Sequence, residues 1–363
     1  MAELLKYRYT EEYIQNLALV VQRHYSDFDT DAFSSSVLND EWVHRELKDR
    51  MHCIAVCLHQ HLPFDYPQSI ELLKKVAPQF GGFEAMIFPD FVETYGMDHW
   101  EISIPALEYF TRFSSSEFSV RPFIIQDSKR MMKQMLEWSL HENEHVRRLA
   151  SEGCRPRLPW AMALPEFKKD AAAILPVIEN LKQDQSLYVR RSVANNLNDI
   201  AKDNPQVTLE VSRRWFGKHS DTDWLVKHAC RTLLKKGNPE ALKMFGFSNQ
   251  SSKVVEIELS RQKLAIGESI TFSFELDCET TGEATELGKT RIEYAIGFVK
   301  ANGKTSSKVF KISEGYINSH TKQCKKTHHF KQLSTRVHYP GEHKLTVIVN
   351  GIGKTTVSFD LTS

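Results

Sequence analysis

The chain has 363 residues, too many for one ordinary core, so two or three domains are expected. Hydrophobic residues make up 41% and charged residues 26%, the balance of a soluble globular chain, and no apolar run reaches the ~18 residues of a membrane span. The net charge of +1 hides a segregation: residues 1–128 carry 10 Lys+Arg against 20 Asp+Glu (−10), residues 129–249 carry 21 against 14 (+7), and residues 250–363 carry 16 against 12 (+4). Basic charge gathered in the middle and the tail suits a polyanionic partner. It equally suits two segments that attract one another. Met1 to Tyr13 carries acids early and no apolar stretch, unlike a secretory signal. Six cysteines lack zinc-type spacing, so free thiols in a reducing, cytoplasmic setting are expected.

Residues 1–249 are predicted to be helical almost throughout. Thr10–Tyr25, Trp42–His61, Gln68–Val76, Asp127–Leu140 and Phe167–Leu181 each place apolar residues three and four apart. A repeat is legible in the middle of the chain. Glu144 to Ala150 (EHVRRLA) is echoed by Leu187 to Ala194 (LYVRRSVA) and more weakly by Trp224 to Cys230 (WLVKHAC). The aligned valines, Val146, Val189 and Val226, are 43 and then 37 residues apart, a period that fits paired helices of the HEAT or armadillo kind. Arg148, Arg191 and Lys227, with Arg231 beyond them, then form a ladder of cations suited to a phosphate backbone. Repeats of this kind also serve as protein scaffolds.

Near Phe247 to Ser252 the composition turns polar, which marks a linker. Beyond it β-branched residues alternate with polar ones in seven candidate strands: Val254–Ser260, Ser269–Cys278, Thr290–Val299, Ser306–Ile312, Lys325–Phe330, Glu342–Val349 and Thr355–Leu361. Asn302-Gly303 and Asn350-Gly351 are hairpin signals. The layout predicted is an all-α repeat domain, residues 1–249, followed by an all-β Ig-like sandwich, residues 250–363. The stretch Lys322 to Lys331, with Lys325, Lys326, His328 and His329, is the most basic part of the sandwich. It is a second candidate DNA contact, or an edge strand protected by lysines.

No nucleotide-binding, H-E-x-x-H zinc-hydrolase or nucleophile-elbow motif is expected, and the scattered histidines, His141 and His145 among them, are read as surface or packing residues. Two segments stand out instead. In Ile104 to Phe123 four phenylalanines surround Glu117, a carboxylate that needs a partner if buried. Arg121, four residues on, is expected either to pair with it on one helical face or to join the DNA-contacting set. In Ser151 to Pro165, three prolines, Arg155, Arg157 and Trp160 make a stiff basic loop with an aromatic tip able to stack on a base or lie against a deoxyribose. Asp199 follows on the helix that carries Arg190 and Arg191.

Phe88 to Gly96, His99-Trp100-Glu101, Leu107 to Phe123, the Ser151–Trp160 loop and Val189 to Asp199 together resemble the AlkC branch of the DNA alkylation repair glycosylases, some members of which carry an Ig-like tail. The resemblance covers most of the chain. It implies HEAT-like repeats wrapped around double-stranded DNA. It also implies excision of cationic alkylated bases, 3-methyladenine first and 3-methylcytosine or 1-methyladenine besides. Glu117, Glu152 and Asp199 fall at the family's acidic catalytic positions, Trp160 at its lesion-contacting aromatic and Arg148 among its phosphate-gripping residues. A monomer without metal or cofactor, acting in the cytoplasm on the nucleoid, is the expectation.

The chemistry asks little of such a site. A base already cationic leaves without being protonated, so the enzyme needs to stabilise an oxocarbenium-like sugar and position a water. One carboxylate about 4 Å from the cation gives up to ~4 kcal/mol at an effective dielectric near 20. Realised only in the transition state, that is roughly 10³-fold in rate. Glu152 is expected to activate the water and Glu117 or Asp199 to stabilise the sugar. The competing reading is a non-enzymatic scaffold that binds DNA or protein.

Overall fold

The computed structural model describes residues 5–247, 252–278, 287–317, 319–332 and 336–363. Sixteen α-helices precede eight β-strands among them. The chain divides into two compact units, residues 1–229 and 230–363, so that the short helices Arg231–Lys235 and Pro239–Met244 group with the strands. Of the expected linker, residues 248–251 lie outside the described residues.

In the first unit, Leu187–Asp203 packs against both Glu144–Gly153 and Ser220–Ala229. The aligned valines Val146, Val189 and Val226 are all fully buried in these contacts, which is the repeat seen in the sequence. A buried polar seam joins the first two helices: Ser151 Oγ meets Ser192 Oγ at 2.6 Å, and Asn196 Nδ2 donates to the Ser151 carbonyl at 2.7 Å. Gly153 closes the first helix against its neighbour, since a Cβ there would lie 2.6 Å from Val120 Cγ2.

Helix boundaries follow local chemistry. The predicted helix Trp42–His61 is a 3-10 turn, Asp40–His44, followed by a helix from Leu47, because Glu46 takes an extended backbone. The predicted helix Phe167–Leu181 is two pieces, Pro165–Lys169 and Leu175–Leu181. Asp170 breaks it by leaving helical geometry and accepting from the Ala172 N–H at 2.9 Å.

The second unit is a β-sandwich. Its strands are β1 (Ser252–Leu259), β2 (Lys263–Ala265), β3 (Ser269–Cys278), β4 (Leu287–Val299), β5 (Thr305–Ile317), β6 (Thr321–His329), β7 (Gly341–Val349) and β8 (Ile352–Thr362). One sheet runs β1-β3-β6 and the other β2-β8-β7-β4-β5, all antiparallel except β2 with β8. The three-residue β2 is too short to be legible as an alternating run. Every second residue of β3, from Ile270 to Leu276, is buried, as on a strand with one face in the core, while in the central β4 all residues from Thr290 to Ile296 are buried. The β7–β8 turn confirms the Asn350-Gly351 signal, with φ of +47° and +78°. Cys324 is buried and free, while the side chain of Cys278 lies outside the described residues.

Candidate active site

The loop after Phe110 leaves helical geometry, and the next helix starts only at Val120. Glu117 and Arg121 therefore do not share a helical face, and the expected pair does not form. Glu117 turns instead to Arg148, in the helix that opens at Glu144 under an Asn143 cap. Arg148 Nη1 also donates to Ser115 Oγ at 2.8 Å, and Ser115 Oγ donates to Glu117 Oε2 at 2.8 Å. Arg148 Nη2 lies 3.4 Å from Glu152 Oε1, one helical turn on, and its guanidinium lies 5.1 Å from the Tyr188 ring centroid. Burial pulls the Arg148 pKa down, but Glu117 and Glu152 together outweigh it and hold it above the ordinary value.

Behind this pair the network continues inward. Glu152 Oε1 accepts from Arg155 Nη1 at 2.6 Å and Oε2 from Ser192 Oγ at 2.7 Å. Arg155 reaches on to Asp199, whose other oxygen accepts from Lys202 Nζ at 2.7 Å. Exposure separates the three acids: the side chain of Glu117 is 15% exposed, that of Glu152 7% and that of Asp199 1%. A recess of about 440 Å³ opens onto Glu117, Arg148, Ser115 and His145, with Phe83, Phe113, Phe118, Tyr188 and Trp160 among its walls. Glu117 is thus the carboxylate that meets solvent, while Glu152 and Asp199 stand behind it.

The remaining sequence candidates divide. Trp160 is 64% exposed at the rim of the recess, and Arg191 is exposed on its helix. Arg121 is a correction: it is fully buried and donates to the carbonyls of Gly153, Arg155 and Met162, so it faces the protein and no phosphate. Arg148 is likewise no free phosphate clamp, being held between two carboxylates.

The cation ladder is only partly a ladder. Arg147 and Arg190, the first of each Arg pair, staple the repeats. Arg147 donates to the His141 and Glu142 carbonyls and to Asp184, and Arg190 to the Asp184 and Gln185 carbonyls with Asp221 3.2 Å away. Lys227, half-buried, aligns with this stapling position. Arg231 belongs to the second unit. In that unit Lys325 and Lys326 are exposed on β6, but His328 is buried against Tyr294, and burial pushes its pKa down to about 4, so it adds no charge there.

His141 to His145 does spell H-E-x-x-H, against the expectation that no such motif occurs. The helix starts only at Glu144, so the two rings do not share a face. His141 Nδ1 accepts from the Asn143 N–H and its Nε2 lies 3.5 Å from Glu108, while His145 packs on Tyr188. Three residues of the site had no clear sequence signal: Ser115 in a serine run, Tyr188 in the second repeat copy, and Ser192. Only packing brings them in.

A family model described as "Uncharacterised protein YhaZ, C-terminal Ig-like domain" matches residues 253–363. Over 359 residues the chain is 47% identical to the uncharacterized protein YhaZ of Bacillus subtilis, covering 98% of this chain and 99% of that one. It is also similar to the alkylpurine DNA glycosylase AlkC of Pseudomonas fluorescens, solved bound to DNA containing an abasic site analog. The TM-score is 0.93 at 36% identity, covering 99% of this chain and 100% of that one.

Proposed function

Because the chain belongs to the family of the alkylpurine DNA glycosylase AlkC and of YhaZ, we propose that it hydrolyses the N-glycosidic bond of cationic alkylated bases, 3-methyladenine foremost, in double-stranded DNA. The observation that carries this reading is the Glu117–Arg148–Glu152 constellation opening onto an aromatic recess with Trp160 at its rim. A scaffold that only binds has no need of a carboxylate in apolar surroundings, held by a charge-assisted network at the mouth of a recess.

The step balances simply. The C1′–N bond breaks and its electron pair leaves with the base, whose positive charge is thereby cancelled. The sugar carries the charge until a water oxygen bonds C1′ and the water's proton passes to a carboxylate. We assign Glu117 to the sugar cation and the water, since it is the acid nearest solvent. Arg148 lies between Glu117 and Glu152 and fixes the orientation of both. Arg155 and Asp199 anchor Glu152 in turn. This keeps Glu117 at the sugar, as expected from sequence, and moves the water to it from Glu152.

Trp160 would meet the damaged nucleotide. Exposed Arg191 on the helices and Lys325 and Lys326 on the sandwich would contribute salt-sensitive phosphate contacts. Lys227 and Arg231 remain secondary candidates. The test is release of 3-methyladenine and of 3-methylcytosine from methylated duplex DNA without metal or ATP. Release of neither at stoichiometric enzyme would favour the scaffold reading.

A further inference from the structure

Trp160 is, among the described residues of the helical unit, the one non-glycine residue with a left-handed backbone, at φ +63°. For a bulky side chain that conformation is strained and persists only where the surroundings over-determine it. Here two cations do so. Arg121 Nη1 donates to the carbonyls of Gly153 at 2.8 Å and Arg155 at 2.9 Å, and its Nε to that of Met162 at 2.7 Å. Those carbonyls flank Trp160 on both sides in sequence, so one buried guanidinium ties together the two ends of the loop.

Lys48 acts on the tip itself. Its Nζ donates to the Trp160 carbonyl at 3.1 Å and sits 4.7 Å from the centroid of the Phe118 ring. A lysine in the first turn of Leu47–His61 opposes the helix dipole, so its place gains nothing from the helix. Leu158 and Leu164, both buried, fix the loop from below, and the Leu164 N–H bonds the Pro156 carbonyl at 3.1 Å.

We infer that Lys48 and Arg121 are positioning residues for Trp160: they preset the strained loop so that the indole already stands at the recess before DNA arrives. What the indole then meets rests on the proposed function; the presetting does not. An indole ordered in advance spares binding the entropy of ordering it.

The experiment labels the full chain with 5-fluorotryptophan and assigns the Trp160 ¹⁹F resonance, one of six, by Trp160→Phe. In DNA-free protein, Lys48→Met is expected to shift and broaden that resonance and leave the other five in place, and Lys48→Arg to restore it. Lys48→Met should also weaken binding to a duplex with an abasic-site analogue about 5-fold, the loss of one charge-assisted hydrogen bond at an exposed site. Combined with Trp160→Ala it should add less than 2-fold, because both act through the same indole. An unmoved Trp160 resonance, or losses that multiply, would overturn the inference. Arg121→Lys keeps the charge but cannot reach three carbonyls, and should broaden the same resonance; if it fails to fold, Lys48→Met decides alone. Should the native chain release no alkylated base, the proposed function falls while the ¹⁹F result still decides the positioning.

Discussion

Arg155 holds Asp199 through two nitrogens, Nε and Nη2, each 2.9 Å from the same carboxylate oxygen. With Asp199 only 1% exposed, we propose that this pair supports Glu152 and does not itself touch substrate. Removing one partner of a buried pair strands the other, at a cost of about 3 kcal/mol or more. Asp199→Ala should therefore lower stability in urea by about that amount and reduce activity in proportion to the loss of order at Glu152. Asp203→Ala removes the partner of the more exposed Arg157 and should cost under about 1 kcal/mol. Equal costs for the two would contradict the assignment.

Arg147 and Arg191 separate the two uses of arginine in the repeats. Arg147→Ala breaks the inter-repeat contact with Asp184 and should lower stability by about 2 kcal/mol. DNA affinity, measured below the new melting range, should keep its salt slope. Arg191→Ala should do the reverse, leaving stability within about 0.5 kcal/mol and reducing the slope of log K against log salt by about 1.

Buried histidines make the sandwich acid-sensitive. His328 has its pKa lowered from 6.5 to about 4, by burial first and then by Arg336, His338, His329 and Lys308; His338 and His343 are lowered as well, again by burial first. The folded state keeps His328 neutral while the unfolded chain takes up a proton near pH 6.5. Its contribution to stability is therefore fully present above about pH 6.5 and is lost as the pH falls toward 4, by about 3 kcal/mol in all. Urea denaturation followed by circular dichroism across pH 4–7.5 checks this. His328→Asn, which keeps a polar partner for Tyr294, should flatten the acid arm.

The layered plan was open to sequence reading because it depends on periodicity. Val146, Val189 and Val226 mark stacked helices, and the alternation in β3 marks a buried face. The site was only half legible. Spacing offered Arg121 to Glu117, but spacing rules apply inside a helix, and residues 114–119 lie outside one. The true partner, Arg148, comes from the next repeat, and nothing local in the chain connects the two. Likewise a run such as Lys322 to Lys331 looks uniformly basic until the strand alternation turns His328 inward. Long-range pairs and the facing of single residues are properties of packing, and composition carries them poorly.

Glu117→Gln tests the account at its centre. Single-turnover release of 3-methyladenine from methylated duplex DNA is measured beside the affinity for a duplex with an abasic-site analogue. The substitution keeps shape and hydrogen bonding but removes the charge that faces the recess. Release should fall about 10³-fold, with affinity within about 2-fold of the native protein, since one carboxylate close to the sugar cation supplies ~4 kcal/mol. Full release by Glu117→Gln, or no release by the native chain at stoichiometric concentration, would contradict it.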